Sequence, residues 1–290
     1  MTPEVQGHSG CLIKVVNDGN NLFVLKGTTD PGYFNRLVAQ ARKQQAASEV
    51  AYQHIRVPRI HSVEQTAEQV VVKMDYVYSK NFVEHFENSG FEQIDYFTRA
   101  LIYFVEKELE RSPVQTVPSK VVTDKFADVY RKVMRNPALA EDAQVAAIME
   151  RSEIVMKSLD NLDIPVGQCH GDLTFSNILF NGNNYFLIDF LDSFIESPML
   201  DLVKIRQDSA HRWSQLMFTR KFDQVRLRII CDYIDRIIDG HFSKYTWYRD
   251  YYLPLQILNF LRILQYAQNG DVISYLKREL SDLLQLPNQL

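Results

Sequence analysis

The sequence predicts an α+β protein of two lobes, a small β-rich lobe at residues 1–77 and a larger, mainly α-helical lobe at 78–290. Three observations lead there. Before residue 78 the apolar residues fall in short β-branched and aromatic runs broken by turn residues. After it they recur at helical spacing. One further hairpin signal, at 178–188, is embedded in the helical part. A chain of 290 residues has ample core for one large domain or two modest lobes.

In order, Leu12-Ile13-Lys14-Val15-Val16 and Leu22-Phe23-Val24-Leu25 read as strands joined through Asn17-Asp18-Gly19-Asn20-Asn21, residues suited to a tight hairpin turn. Residues 33–54 are rich in Ala, Gln, Arg and Lys and read as a helix. It must close before Val57-Pro58, because the residue preceding proline avoids helical angles. Residues 69–74 form another strand, with Ile60-His61-Ser62-Val63 as its expected partner. Helical spacing then covers 96–109, 128–135, 143–159, 225–238 and 255–266, while 112–119, with two prolines, reads as a loop within the larger lobe. The embedded hairpin pairs Ile178-Leu179-Phe180 with Tyr185-Phe186-Leu187-Ile188 across Asn181-Gly182-Asn183-Asn184.

Composition narrows the class. Hydrophobic content of 46% and charged content of 23% are those of an ordinary globular protein. A net charge of −4 argues against nucleic acid as a partner, since phosphate backbones select dense Lys and Arg. Cys11, Cys169 and Cys231 are few, odd in number and scattered, which disfavours a disulfide framework or zinc site and points to a reducing compartment. The first ten residues lack the basic-then-apolar order of a signal peptide, and no run of about twenty apolar residues is long enough to span a bilayer. A cytoplasmic location without membrane insertion is the expectation.

The chemistry is concentrated in His170-Gly171-Asp172-Leu173-Thr174-Phe175-Ser176-Asn177 and in the following Leu187-Ile188-Asp189-Phe190. A carboxylate, an amide five positions later and a second carboxylate behind an apolar strand form the acidic half of a phosphoryl-transfer site. Asp172 is the candidate base for an acceptor hydroxyl. Asn177 and Asp189 are the candidate magnesium ligands, hard oxygen donors placed to share an ion with phosphates. A turn aspartate and an unrelated strand-end aspartate are the bland alternative, but the two occur jointly with the amide at this spacing.

HGDLTFSNILF, FLIDFLDS and the later Pro198-Met199-Leu200-Asp201-Leu202 resemble the aminoglycoside phosphotransferase and choline kinase superfamily. The resemblance is specific over about residues 170–205 and elsewhere is one of order and type. It implies a bilobal protein-kinase-like fold and transfer of the ATP γ-phosphate, with Mg2+, to a hydroxyl of a small molecule, with GTP not excluded as donor. It asks for an N-lobe lysine, met by Lys26, and a helix carboxylate to orient it, met by Glu49, the only carboxylate in the predicted helix. It also implies a phosphate loop at Gly7 and Gly10, an adenine-binding connector at 74–77 using the backbone of Asp75 and Val77, and supporting roles for His170 and Asp201. The chain departs from regulated protein kinases. Gly171 stands where they carry arginine, Leu191 replaces the glycine of D-F-G, and Pro198 follows Phe190 too soon for an activation loop. A nucleotide-binding scaffold without transfer activity is the competing reading.

The acceptor is expected between Asp172 and the helices after Asp201. Asp192 and Glu196 would suit an amine-bearing, choline- or aminoglycoside-like acceptor, and Trp213 a sugar ring or quaternary ammonium. Arg212 would suit an acidic one. Each is equally a packing or surface residue, and the sequence leaves the choice open.

Overall fold

The computed structural model describes residues 11–285 and the backbone of Glu4–Gln6. In chain order the first elements are β1 (Glu4–Gln6), β2 (Leu12–Asp18), β3 (Asn21–Thr28), α1 (Phe34–Ser48), β4 (Ile55–Arg56), β5 (Ile60–Gln65) and β6 (Val70–Asp75). Then come α2 (Phe82–Asn88), α3 (Phe91–Glu110), β7 (Val114–Val117), α4 (Ser119–Arg135), α5 (Ala143–Lys157) and β8 (Leu162–Pro165). The hairpin β9 (Ile178–Asn181) and β10 (Asn184–Leu187) precedes α6 (Pro198–Ser209), α7 (Trp213–Leu216), α8 (Gln224–Phe242), α9 (Thr246–Leu264) and α10 (Gly270–Gln285).

These elements form two compact units. The first comprises Met1–Lys107, His170–Ser193 and Lys221–Ile230; the second comprises Glu108–Cys169, Phe194–Arg220 and Cys231–Leu290. The first unit therefore runs past the expected boundary at 77 and takes in the embedded hairpin, because packing rather than chain order defines it.

In the first unit β1-β2-β3-β6-β5 make an antiparallel sheet with β3 at its centre. The β2–β3 hairpin closes on Gly19-Asn20, with Gly19 at φ +68°, the left-handed angle a two-residue turn needs at its first position. Val70, Val72 and Met74 alternate inward along β6 and pack with Phe34, Leu37 and Ala41 of α1 and with Cys11 and Ile60. A second, three-stranded sheet places β10 between β9 and the parallel strand β4.

α1 ends at Ser48, short of the expected residue 54. Tyr52 instead turns its ring onto Phe104 (centroids 4.7 Å apart) and Ile55 pairs with Tyr185, contacts a continuing helix would forbid. Residues 112–119 are not all loop: Val114–Val117 pairs antiparallel with β8 in the second unit, and Pro113 and Pro118 flank the ladder. The rest of the second unit is helical, and α9 runs through Pro254. Among the described residues no helix is long and apolar enough to cross a membrane, and the three cysteines are buried and form no disulfide.

Candidate active site

Aromatic packing sets the segment from His170 to Asn177 in place. Phe175, 1% exposed, lies between Asp172 and Asn177 in sequence and plugs into Phe82, Phe86 and Phe97 at centroid distances of 6.1, 5.5 and 6.0 Å. Phe180 and Tyr185, facing partners on the β9–β10 hairpin, join the same cluster at 5.1 and 4.9 Å from Phe97. The loop is thus anchored at its middle, which brings its two polar ends together. Asn177 Nδ2 donates to the backbone carbonyl of Asp172 at 2.8 Å and to Asp172 Oδ2 at 2.9 Å. With its amide nitrogen committed, Asn177 keeps its side-chain oxygen as an acceptor.

His170, fully buried, ties this loop to the strand before Asp189. Its Nε2 donates to the Ile188 carbonyl at 2.9 Å, and its Nδ1 accepts from the Asp172 N–H at 3.2 Å. That pattern requires a neutral ring, and burial pushes the imidazole down to about 4, against the pull of Asp172. The tautomer follows from the hydrogen-bond network. Gly171 beside it has φ +87°, and a Cβ there would stand 2.1 Å from the Leu191 carbonyl oxygen. No other residue fits so close an approach. This is the physical reason for glycine where regulated kinases carry arginine.

Asp189 follows Ile188 with φ +62°, an uncommon conformation for a residue with a side chain. Its Oδ1 accepts from Lys26 Nζ at 2.9 Å. Lys26 comes from the central strand β3, with Ile13 and Val72 as lateral partners, and is 7% exposed. So among the described residues the carboxylate that meets Lys26 is Asp189, not Glu49. Glu49 caps α1 on its exposed side, because the helix stripe that faces inward carries Leu37, Gln40, Ala41, Gln44 and Ala47. Lys26 and Asp189 line a small cavity together with Gln40, Gln44, Met74 and Phe190.

Asp75 closes β6, and its carboxylate accepts from Arg59 N–H at 3.1 Å and meets His61 Nε2 at 2.6 Å; Val77 follows, half-buried. Gly7 and Gly10 lie outside the described residues. Asp192 accepts from Arg36 Nε at 3.0 Å. The other expected acceptor residues belong to the second unit. There Glu196 Oε2 accepts from Cys169 Sγ at 3.2 Å, Arg212 donates to Asp232 at 2.8 Å, and Trp213 packs on Tyr275 at 5.8 Å. Asp201 is fully buried in the first turn of α6.

One residue of the site went unnoticed in the sequence. Lys43 Nζ donates to the Leu191 carbonyl at 2.6 Å. A signal was present: Arg36, Gln40 and Lys43 recur at i, i+4 and i+7, one stripe of α1.

Solved structures share this fold. A thermostable mutant of aminoglycoside phosphotransferase APH(4)-Ia, in ternary complex with AMP-PNP and hygromycin B, aligns over 100% of this chain and 94% of its own, at 10% identity and a TM-score of 0.64. The amicoumacin kinase hAmiN, in complex with AMP-PNP, Ca2+ and Ami, aligns over 98% and 87% at 9% identity and a TM-score of 0.61. A choline/ethanolamine kinase family protein from Mesorhizobium loti aligns over 98% and 89% at 14% identity and a TM-score of 0.53. At these identities the likeness is one of fold, and it is the α+β, kinase-like fold expected from the sequence. No curated protein is similar enough in sequence to count as a relative. The model of the phosphotransferase enzyme family, APH, matches residues 15–235, a span that includes Lys26, Asp172, Asn177 and Asp189. The chain belongs to the phosphotransferase enzyme family.

Proposed function

We propose that this protein is an ATP- and magnesium-dependent kinase that phosphorylates a hydroxyl of a small molecule. One observation carries the reading: Asp172 locked to Asn177, and Asp189 to Lys26, within a single compact unit. Nucleotide analogues in the complexes of APH(4)-Ia and hAmiN support the choice of donor.

In this reading Asp172 accepts the proton of the acceptor hydroxyl. The bond from Asn177 Nδ2 to Asp172 Oδ2 fixes the orientation of that carboxylate. The hydroxyl oxygen then forms its bond to the γ-phosphorus as the bond to the β-phosphate oxygen breaks and the nucleoside diphosphate leaves. Lys26, a buried cation beside Asp189, would contact phosphate oxygens. The oxygens of Asn177 and Asp189 fit magnesium, a hard ion that takes oxygen ligands. When bound, that ion would offset the charge gathering on the phosphate oxygens.

The substrate is small in this reading, because the segment from Leu191 to Pro198 is short and its first residues are tied to α1. Choline-, sugar- and aminoglycoside-like alcohols are the classes to test. The test is a screen of amino alcohols, sugars, nucleosides and aminoglycosides that follows ADP release, with Asp172→Asn as control. Acceptor-dependent release by the wild type that the variant loses supports the reading. Release that survives Asp172→Asn refutes the assignment of the base.

A second reading is a nucleotide-binding scaffold that has lost transfer. Glutamines on the inward stripe of α1, where a carboxylate was expected, favour it. Nucleotide binding without turnover on any acceptor class would be its signature.

A further inference from the structure

We infer that Lys43 is a positioning residue of this site: from α1 it fixes the turn carrying Asp189, the task that an ion pair between Lys26 and a helix carboxylate would otherwise perform. The inference rests on the phosphotransfer reading above.

The polypeptide just after Asp189 is held from two sides. The Leu191 N–H donates to the His170 carbonyl at 2.9 Å, and the Leu191 carbonyl accepts from Lys43 Nζ at 2.6 Å. An ammonium donor to a carbonyl is a charge-assisted bond, stronger than the amide bonds around it. The room for it exists because residue 171 is glycine: a Cβ there would stand 3.3 Å from Lys43 Nζ as well as against the Leu191 carbonyl. Arg36, two turns earlier on the same stripe, holds Asp192 at 3.0 Å. Two consecutive residues after the Asp189-Phe190 pair are thus tied to α1.

The rest of α1 explains the need. Its buried polar side chains are the neutral Gln40 and Gln44, engaged with Tyr33 and with the Pro58 carbonyl. Lys26 spends its contact on Asp189 itself. The helix therefore reaches the metal-ligand turn through Lys43 and Arg36, not through Lys26. Asp189 keeps φ +62° only while the surrounding structure holds it there. Cutting the Lys43 bond removes one of those restraints from the residue placed to meet the ion.

Titration calorimetry of ATP, with and without magnesium, into wild type, Lys43→Met and Lys43→Arg at a temperature well below unfolding tests this. The expected result is that Lys43→Met binds metal-free ATP within about twofold of wild type but loses roughly tenfold or more of the magnesium-dependent gain. Lys43→Arg, whose guanidinium can donate to the same carbonyl, should recover most of that gain. A purely structural role would weaken both titrations alike and would not single out magnesium. A Lys43→Met protein that gains affinity from magnesium as wild type does overturns the inference, as does one that loses both affinities or an arginine variant no better than methionine. Should Lys43→Met fail to fold, Lys43→Gln, polar but shorter, is held to the same criteria. Wild type with no magnesium-dependent ATP binding would instead overturn the phosphotransfer reading, and this inference with it.

Discussion

Gly171→Ala tests the backbone approach on which the site is built, and Gly182→Ala is its control. Both glycines have positive φ, +87° and +58°. They differ in surroundings: a Cβ at 171 would lie 2.1 Å from the Leu191 carbonyl oxygen, whereas at 182 nothing stands within 4 Å. Gly182→Ala should therefore cost only the left-handed backbone penalty, about 1–2 kcal/mol. Gly171→Ala adds the displacement of a fixed peptide, about 1–3 kcal/mol more, for a total of roughly 2–5 kcal/mol. Tryptophan fluorescence is the wrong probe, because Trp213 and Trp247 both lie in the second unit. Hydrogen exchange of peptides spanning 170–193 reads the correct region. The wild type should protect the Leu191 amide, and Gly171→Ala should lower that protection far more than Gly182→Ala does. Equal losses in the two variants, within about 0.5 kcal/mol, would refute the close approach and with it the explanation of glycine at 171.

Three further outcomes follow from the structure. His85 stacks on Phe180 at 4.3 Å, is 8% exposed, and has a buried Nε2 without a partner. Burial, helped by Lys80, pushes its imidazole down from 6.5 to about 4. The unfolded chain therefore binds the proton first, so this contribution to stability is complete above pH 6.5 and is lost as pH falls toward 4. His85→Leu should gain on wild type by about 3 kcal/mol between neutral pH and pH ~4 in urea titrations, and a pH-independent difference would contradict the assignment. Lys26→Met should weaken ATP binding roughly 10–100-fold in calorimetry, the worth of a charge-assisted bond; unchanged affinity would remove Lys26 from the phosphate site. Phe175→Ala should cost about 3–5 kcal/mol of stability by opening the aromatic cluster, a loss that denaturation monitored by far-ultraviolet circular dichroism would detect.

Where local chemistry decides conformation, the sequence was legible. Asn-Gly and Asp-Gly turns marked both hairpins, at Gly19-Asn20 and Gly182-Asn183, and alternation marked β6. The spacing of Asp172, Asn177 and Asp189 marked the polar heart of the site because a loop and hairpin of fixed length bring them together. Contacts made at a distance were less visible. Where α1 ends depends on Tyr52 and Ile55 finding partners at Phe104 and Tyr185, far along the chain. Glu49 was singled out as the lone carboxylate of the helix, but identity says nothing about facing: one stripe turns inward, and it carries glutamines. Lys43 was missed because its partner is a backbone carbonyl, which no side-chain pattern reports.

The most direct test of the account is the pair of constants kcat and ATP Kd for Asp172→Ala, measured with an acceptor found in the ADP-release screen. A base held by Asn177 but not bound to nucleotide predicts that kcat falls by about 10²–10⁴ while the Kd for ATP with magnesium stays within about twofold. Turnover equal to wild type would show that another group takes the proton, and the site described here would not be the one that performs the transfer.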